Sequence, residues 1–309
     1  MPRRPSRLMA AGAAALIVLT GCEPKVYGTS DPTREGLTVV VPQGGTAPLP
    51  EAAPDEPVAS FTDLADRARL ATEQAERAGA DLTLQVLDRN TGQLVSNGND
   101  RPIAIASVVK LFIADDLLLR VSRGEVRLSE QDWAGFDRML RSSDDDPAEI
   151  FWLRGGRSAI VRRVAERYGL TDTAPPNDGH WWNTTSTAAD LVRYYDKLLS
   201  GAGGLPRDKA EIILANLAAS TPEGIDTTQP GGRYPQRFGI PDGLPDEQVA
   251  VKQGWMCCVA GGWMHLSTGV IGPGRRFVMV IASDQPGDAA TARATITEAV
   301  RTLFPAGRI

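Results

Sequence analysis

The chain has 309 residues, 42% of them hydrophobic, which supplies core for one large domain or two small ones. With 33 basic and 38 acidic residues its net charge is -5. That balance excludes a general nucleic-acid binder, which would carry a basic stripe.

The first segment, "MPRRPSRLMAAGAAALIVLTGC", opens on Arg3, Arg4 and Arg7, continues as an apolar run and closes on small residues. This is the pattern of a signal peptide over residues 1–21, its apolar part too short for a comfortable membrane span. It ends in Leu19-Thr20-Gly21-Cys22, which resembles a bacterial lipobox and implies cleavage before Cys22 and acylation of that cysteine. The expectation is an exported lipoprotein, anchored by lipid at the extracytoplasmic face of the cell membrane. Residues 22–57 are rich in Pro, Gly, Thr and Ala and read as an extended tether. "LTVVVP" within it reads as a lone short strand.

The folded domain is expected over residues 58–309. "SFTDLADRARLATEQAERAGA" carries apolar residues at helical spacing after a Ser/Thr/Asp-rich start, and predicts a helix. "DLTLQVLDRNTGQLVSNG" alternates apolar and polar residues around Asn90-Thr91-Gly92 and predicts a β-hairpin. "IASVVKLFIADDLLLR" (105–120) predicts a helix apolar almost all round. "WAGFDRMLRS", "AIVRRVAERYG", "TAADLVRYYDKLL" and "KAEIILANLA" predict further helices. From about residue 248 the period returns to two, and "QVAVKQGWMCC", "GGWMHLSTGVI" and "RFVMVIAS" predict antiparallel strands before a final helix, "AATARATITEAVRTLF". Strands from both ends of the chain therefore flank a helical middle, and a single sheet with a helical insertion is the economical arrangement.

Lys110 is the odd residue in the 105–120 helix. Helical spacing puts it on one face with Ser107, with Cβ atoms within about 5–6 Å. Its apolar neighbours imply burial, which lowers an ammonium pKa unless a carboxylate holds the charge. Such a lysine can take the proton from a serine hydroxyl. Backbone N–H groups at the helix start would favour negative charge developing there. A capping serine beside a snorkelling lysine gives the same four letters.

Two later segments bear on the choice. Ser143-Asp144-Asp145 lies in the helical region, and Lys252-Gln253-Gly254 lies on a C-terminal strand. In order, spacing and context these resemble the S-x-x-K, S-D-N and K-T-G motifs of the penicillin-recognising serine enzymes, class A β-lactamases above all. The resemblance spans roughly residues 60–309. It implies an α/β fold of the β-lactamase/transpeptidase type: an antiparallel sheet from both chain ends flanked by helices, plus an all-helical subdomain. It also implies roles. Ser107 would be the nucleophile and Lys110 its base. Ser143 would pass a proton toward the leaving nitrogen, and Lys252 would attract the substrate carboxylate with Gln253 and Gly254 beside it. Backbone N–H groups of Ser107 and Trp255 would form the oxyanion hole. The implied ligands are β-lactams or peptidoglycan stem peptides, without a cofactor and without nucleic acid.

The sequence departs from that family in three places. Asp145 stands where the family has Asn. An ionised Asp only accepts hydrogen bonds, and it would pair with Lys110, hold it protonated and weaken the base. Capping a helix is the other use of an Asp in that position. Gln253 replaces a hydroxyl residue. The segment "LTDTAPPNDGHWWNTTSTAA", where the family keeps its deacylating Glu, contains no Glu and offers only Asp172, Asp178 and His180. Acylation without rapid deacylation is the expectation, and a catalytically silent relative that binds wall peptides or an envelope partner is the alternative. Trp181, Trp182, Trp255 and Trp263 either line one cleft or pack in the core and its rim. Cys257 and Cys258 are either free thiols or a bridged pair. With His180 and His265 they lack the spacing of a zinc site.

Overall fold

The computed structural model describes residues 63–259 and 261–309. The expected signal peptide, Cys22, the tether and its "LTVVVP" strand lie outside the described residues.

The described chain begins with helix α1 (Leu64–Arg77), then the hairpin β1 (Asp81–Asp88) and β2 (Leu94–Ser96). A short strand β3 (Ile103–Ala104) leads into the helical part: α2 (Lys110–Ser122), α3 (Glu130–Arg141), α4 (Asp145–Arg154) and α5 (Ser158–Tyr168). Strand β4 (Thr185–Ser186) pairs with β3, and α6 (Ala188–Ser200) and α7 (Arg207–Ala218) follow. A second small pair, β5 (Glu223–Ile225) with β6 (Arg233–Pro235), precedes the short helix α8 (Ile240–Gly243). The chain closes with β7 (Val249–Val259), β8 (Gly262–Ile271), β9 (Phe277–Pro286) and helix α9 (Ala289–Leu303). The principal sheet is antiparallel, in the order β2-β1-β9-β8-β7, so both chain ends contribute to it.

Period-two burial on both faces explains the layering. In β9, Met279 and Ile281 face a cluster with Ala68 and Ala71 of α1 and Ile296 and Val300 of α9. The intervening Val278, Val280 and Ala282 join the cluster of the helical part, with Leu111, Tyr194 and Leu214. A strand buried on both faces reads as a nearly continuous apolar run, as "FVMVIA" does.

Two local findings refine the sequence expectations. The segment from residue 105 does not start as an α-helix: Ala106–Val109 form a 3-10 turn and α2 begins at Lys110. Helix α4 lacked a clear sequence signal. Its first turn is acidic, it contains Pro147, and it buries only Pro147, Ala148, Phe151 and Trp152. The Asp144 carboxylate caps it by accepting from Asp146 N–H, and a proline in a first turn sacrifices no helical hydrogen bond.

Candidate active site

The 3-10 turn carrying Ser107 abuts the middle of β7, an edge strand of the sheet. Gly254 permits the approach. A Cβ at that position would stand 2.8 Å from the Ile105 carbonyl oxygen and 3.4 Å from Ala106 Cβ. On the other side the loop before α4 brings in Ser143. Ala106 and Ser143 both have positive φ, 43° and 56°. Left-handed backbone is costly for residues with a Cβ and clusters at functional sites.

The four side chains of the motifs meet. Lys110 Nζ donates to Ser107 Oγ at 2.9 Å, to the Ser143 carbonyl at 2.5 Å and to Asp145 Oδ1 at 2.5 Å. Lys252 Nζ donates to Ser143 Oγ at 2.6 Å and to the Gln253 carbonyl at 3.1 Å. The left-handed turn at Ser143 thus aims its carbonyl at one lysine and its hydroxyl at the other. Asp144, not Asp145, is the helix cap, so the Asp145 carboxylate is free to pair with Lys110.

Electrostatics differ between the two lysines. Lys110 is fully buried, and burial pulls its pKa below the ordinary lysine value, while the Asp145 charge and hydrogen bond act in the opposite direction. The expected Lys110–Asp145 pair forms, and it works against the burial that lowers the lysine pKa. Lys252 has no carboxylate of its own. Burial, then the neighbouring charge of Lys110, push it well below the ordinary value. Lys252 is 1% exposed and lies beneath Ser143, outside the cleft lining.

Gln253 is on the opposite face of β7. Its Nε2 donates to the Phe238 carbonyl at 2.6 Å in a buried setting, so its side chain does not reach the cleft. Alternation along the strand is the reason: Lys252 and Gln253 cannot face the same side.

Above the floor lies a cleft of about 330 Å³ lined by Ser107, Asp145, Trp181, Trp182, Asp226 and Trp255, among others. The face of Trp181 covers Lys110, with Nζ 4.8 Å from the ring centre, and Trp181 Nε1 donates to Glu149 of α4. Trp182 stacks on His180. Trp263 is not in the lining; it stacks on Tyr234 behind Trp255. Asp178 accepts from His180 N–H and Asn183 Nδ2 within its own exposed loop, which holds its carboxyl below the usual range. It does not line the cleft. His265 is buried with Nε2 2.7 Å from the Tyr234 hydroxyl, and burial pushes its pKa down to about 3. Cys257 and Cys258 are bridged at the exposed end of β7, where the pairing with β8 shifts register.

Asp226 was not singled out from the sequence. Its Oδ1 accepts from Thr228 N–H and Oγ1, and its Oδ2 from Trp255 Nε1 at 2.7 Å. "DTTQPGG" signals an Asx turn, but only the β5–β6 pairing carries that turn to the cleft.

The fold is that of the class A β-lactamases and their penicillin-binding relatives. A β-lactamase from Chitinophaga pinensis superposes with a TM-score of 0.65 at 14% identity, over 79% of this chain and 100% of that one. PBP-A superposes at 0.64 and 17% identity, over 80% and 96%. An ancestral class A β-lactamase gives 0.62 at 20% identity, over 78% and 99%. No protein-family model matches the chain. In sequence it is 56% identical, over 100% of both chains, to lipoprotein LppW of Mycobacterium tuberculosis and equally to that of Mycobacterium bovis. The chain belongs to the LppW lipoprotein family.

Proposed function

We propose that the protein is a lipid-anchored envelope lipoprotein whose Ser107 forms acyl adducts and releases them slowly. The observation that carries this reading is the buried contact of Lys110 Nζ with Ser107 Oγ, at 2.9 Å. A neutral Lys110 accepts the Ser107 proton as Oγ attacks an acyl carbon. Ser143, linked to Lys252, returns a proton to the leaving group. Backbone N–H groups of Ser107 and Trp255 hold the oxyanion. One form of PBP-A is an acyl-enzyme with penicillin G, which makes β-lactams and wall peptides the first ligands to try.

Slow release rests on the loop that carries Trp181, which contains no Glu, and on the engagement of the cleft carboxylate of Asp145 with Lys110. Hydrolysis of an acyl-serine requires a base positioned for water. Above Lys110 stands an indole face, and Asp178 is engaged in its own loop. Anchoring rests on Cys22, and Cys22→Ser should move the protein from the membrane pellet to the soluble fraction.

The competing reading is a silent binder of wall peptides or of an envelope partner. The sealed Lys252 and the averted Gln253 favour it, since neither offers a substrate carboxylate an exposed partner. Labelling with a fluorescent penicillin and with an uncharged fluorophosphonate, read by intact mass, decides. A Ser107-dependent adduct that persists for hours supports slow acyl transfer. Absence of any adduct with both probes supports the binder, and rapid turnover without an adduct removes the claim of slow release.

A further inference from the structure

The charge of the cleft is unusual for a site expected to receive a carboxylate. Asp145 and Asp226 line it, and no lysine, arginine or histidine does so among the described residues. Asp226 is 8% exposed and has no ion-pair partner among the described residues. Its three donors are neutral N–H and O–H groups, which occupy its oxygens without bringing a positive charge. The two lysines of the floor do not reverse the sign. Lys110 is matched by Asp145, and Lys252 is shut beneath Ser143. The rest of the wall is indole. Trp255 is fixed by its bond to Asp226 and its stack on Tyr234, and Trp182 stands 36% exposed at the rim. Aromatic faces beside a desolvated carboxylate favour an ammonium group and penalise an anion.

Resting on the acyl-transfer reading above, we infer that the cleft selects acyl donors bearing an ammonium group, which Asp226, Trp182 and Trp255 hold, and discriminates against acyl donors bearing a carboxylate. In the step itself the Ser107 Oγ–acyl bond forms and the bond to the leaving oxygen breaks. The serine proton passes to Lys110, and the leaving group departs as its anion.

Three nitrophenyl esters of matched length test this: one ending in trimethylammonium, one in an uncharged tert-butyl group and one in a carboxylate. Each acylation rate is divided by the ester's own hydrolysis rate with hydroxide, so that only the protein's preference remains. The expected order is cation, neutral, anion, with about tenfold or more between the extremes at low salt. Raising salt to about 1 M should shrink that ratio toward one, a measurement that needs no variant. Asp226→Asn, checked for an unchanged melting temperature, should shrink it likewise, and Trp182→Ala in part. Equal corrected rates, or a faster anion, would overturn the inference while a Ser107-dependent burst kept acyl transfer intact. If no ester acylates Ser107, acyl transfer itself falls. The unreactive amides of the same acids, titrated by tryptophan fluorescence, then read the preference directly: tighter binding of the cation upholds it, and equal or absent binding ends it.

Discussion

The floor and the walls of the cleft are built by different rules. Ser107, Lys110, Ser143 and Lys252 are buried, lie on or beside regular elements, and interlock through short hydrogen bonds. Trp181, Trp182 and Asp226 come from connecting segments, and Cys257 from an irregular strand end. The floor residues are those that the three sequence motifs single out, and Asp226 of the walls lies outside those motifs. Chemistry is set where packing leaves few alternatives, while ligand choice is set where loops vary.

The sharpest break in this comparison is Lys110→Met. If the floor is catalytic, adduct formation with a fluorophosphonate should fall by about 10²- to 10⁴-fold, the usual contribution of a positioned base. Stability should not fall with it. A lysine whose folded pKa lies below its unfolded value loses stability as the pH drops through that window, so at pH 7 the buried amine is a cost. Met keeps the apolar stem. A lost melting transition with unchanged labelling of the folded fraction would make Lys110 structural.

Next in size is Gly254→Ala, which tests whether the floor depends on close backbone approach. The added methyl would stand 2.8 Å from Ile105 O and 3.3 Å from Val108 Cγ2. Overpacking of this kind costs about 1–3 kcal/mol. The denaturant midpoint should drop accordingly, and labelling of Ser107 should slow further because its turn is displaced. An unchanged midpoint would mean that the strand and the turn can separate freely.

Sequence reasoning reached the Ser107–Lys110 pair from its spacing, and reached Ser143 and Lys252 through the resemblance of their motifs to the penicillin-recognising enzymes, since 33 and 109 residues separate the bonded partners. Ser107 and Lys110 are three residues apart, and period-two and period-3.6 patterns place the other motifs on a strand and beside a helix. The same reasoning reached the sheet from both chain ends, since "FVMVIA" is a nearly continuous apolar run and "DLTLQV" alternates with period two, although its polar Thr83 and Gln85 are buried as well. It failed where a side chain's direction depends on strand register: Gln253 belongs to the motif in sequence but faces Phe238 in space. It failed again where a polar residue acts at long range, because nothing near Asp226 in the chain announces Trp255. It named both opposing influences on Lys110, burial and the Asp145 charge. The Lys110–Asp145 pair was foreseeable from residue types, but the outcome depends on how completely the helices enclose Lys110.

That balance gives the smallest predicted effect. Asp145 is the residue where wall and floor touch: its side chain is 55% exposed to the cleft, and its Oδ1 holds the fully buried Lys110 Nζ. Burial lowers the lysine pKa, and the Asp145 charge raises it part of the way back. Asp145→Asn removes the second effect and keeps the first. A lysine accepts a proton only in its neutral form, which dominates above its pKa. The variant's acylation limb should therefore move to lower pH, and the variant should acylate faster wherever Lys110 of the parent protein is still protonated. Toward strongly alkaline pH the two proteins should converge, because Lys110 is then neutral in both. A pH–rate profile with the uncharged fluorophosphonate measures this without interference from probe charge. Equal or slower acylation at every pH would mean that Asp145 serves to aim Lys110 at Ser107, and that the wall at this point already works for the floor.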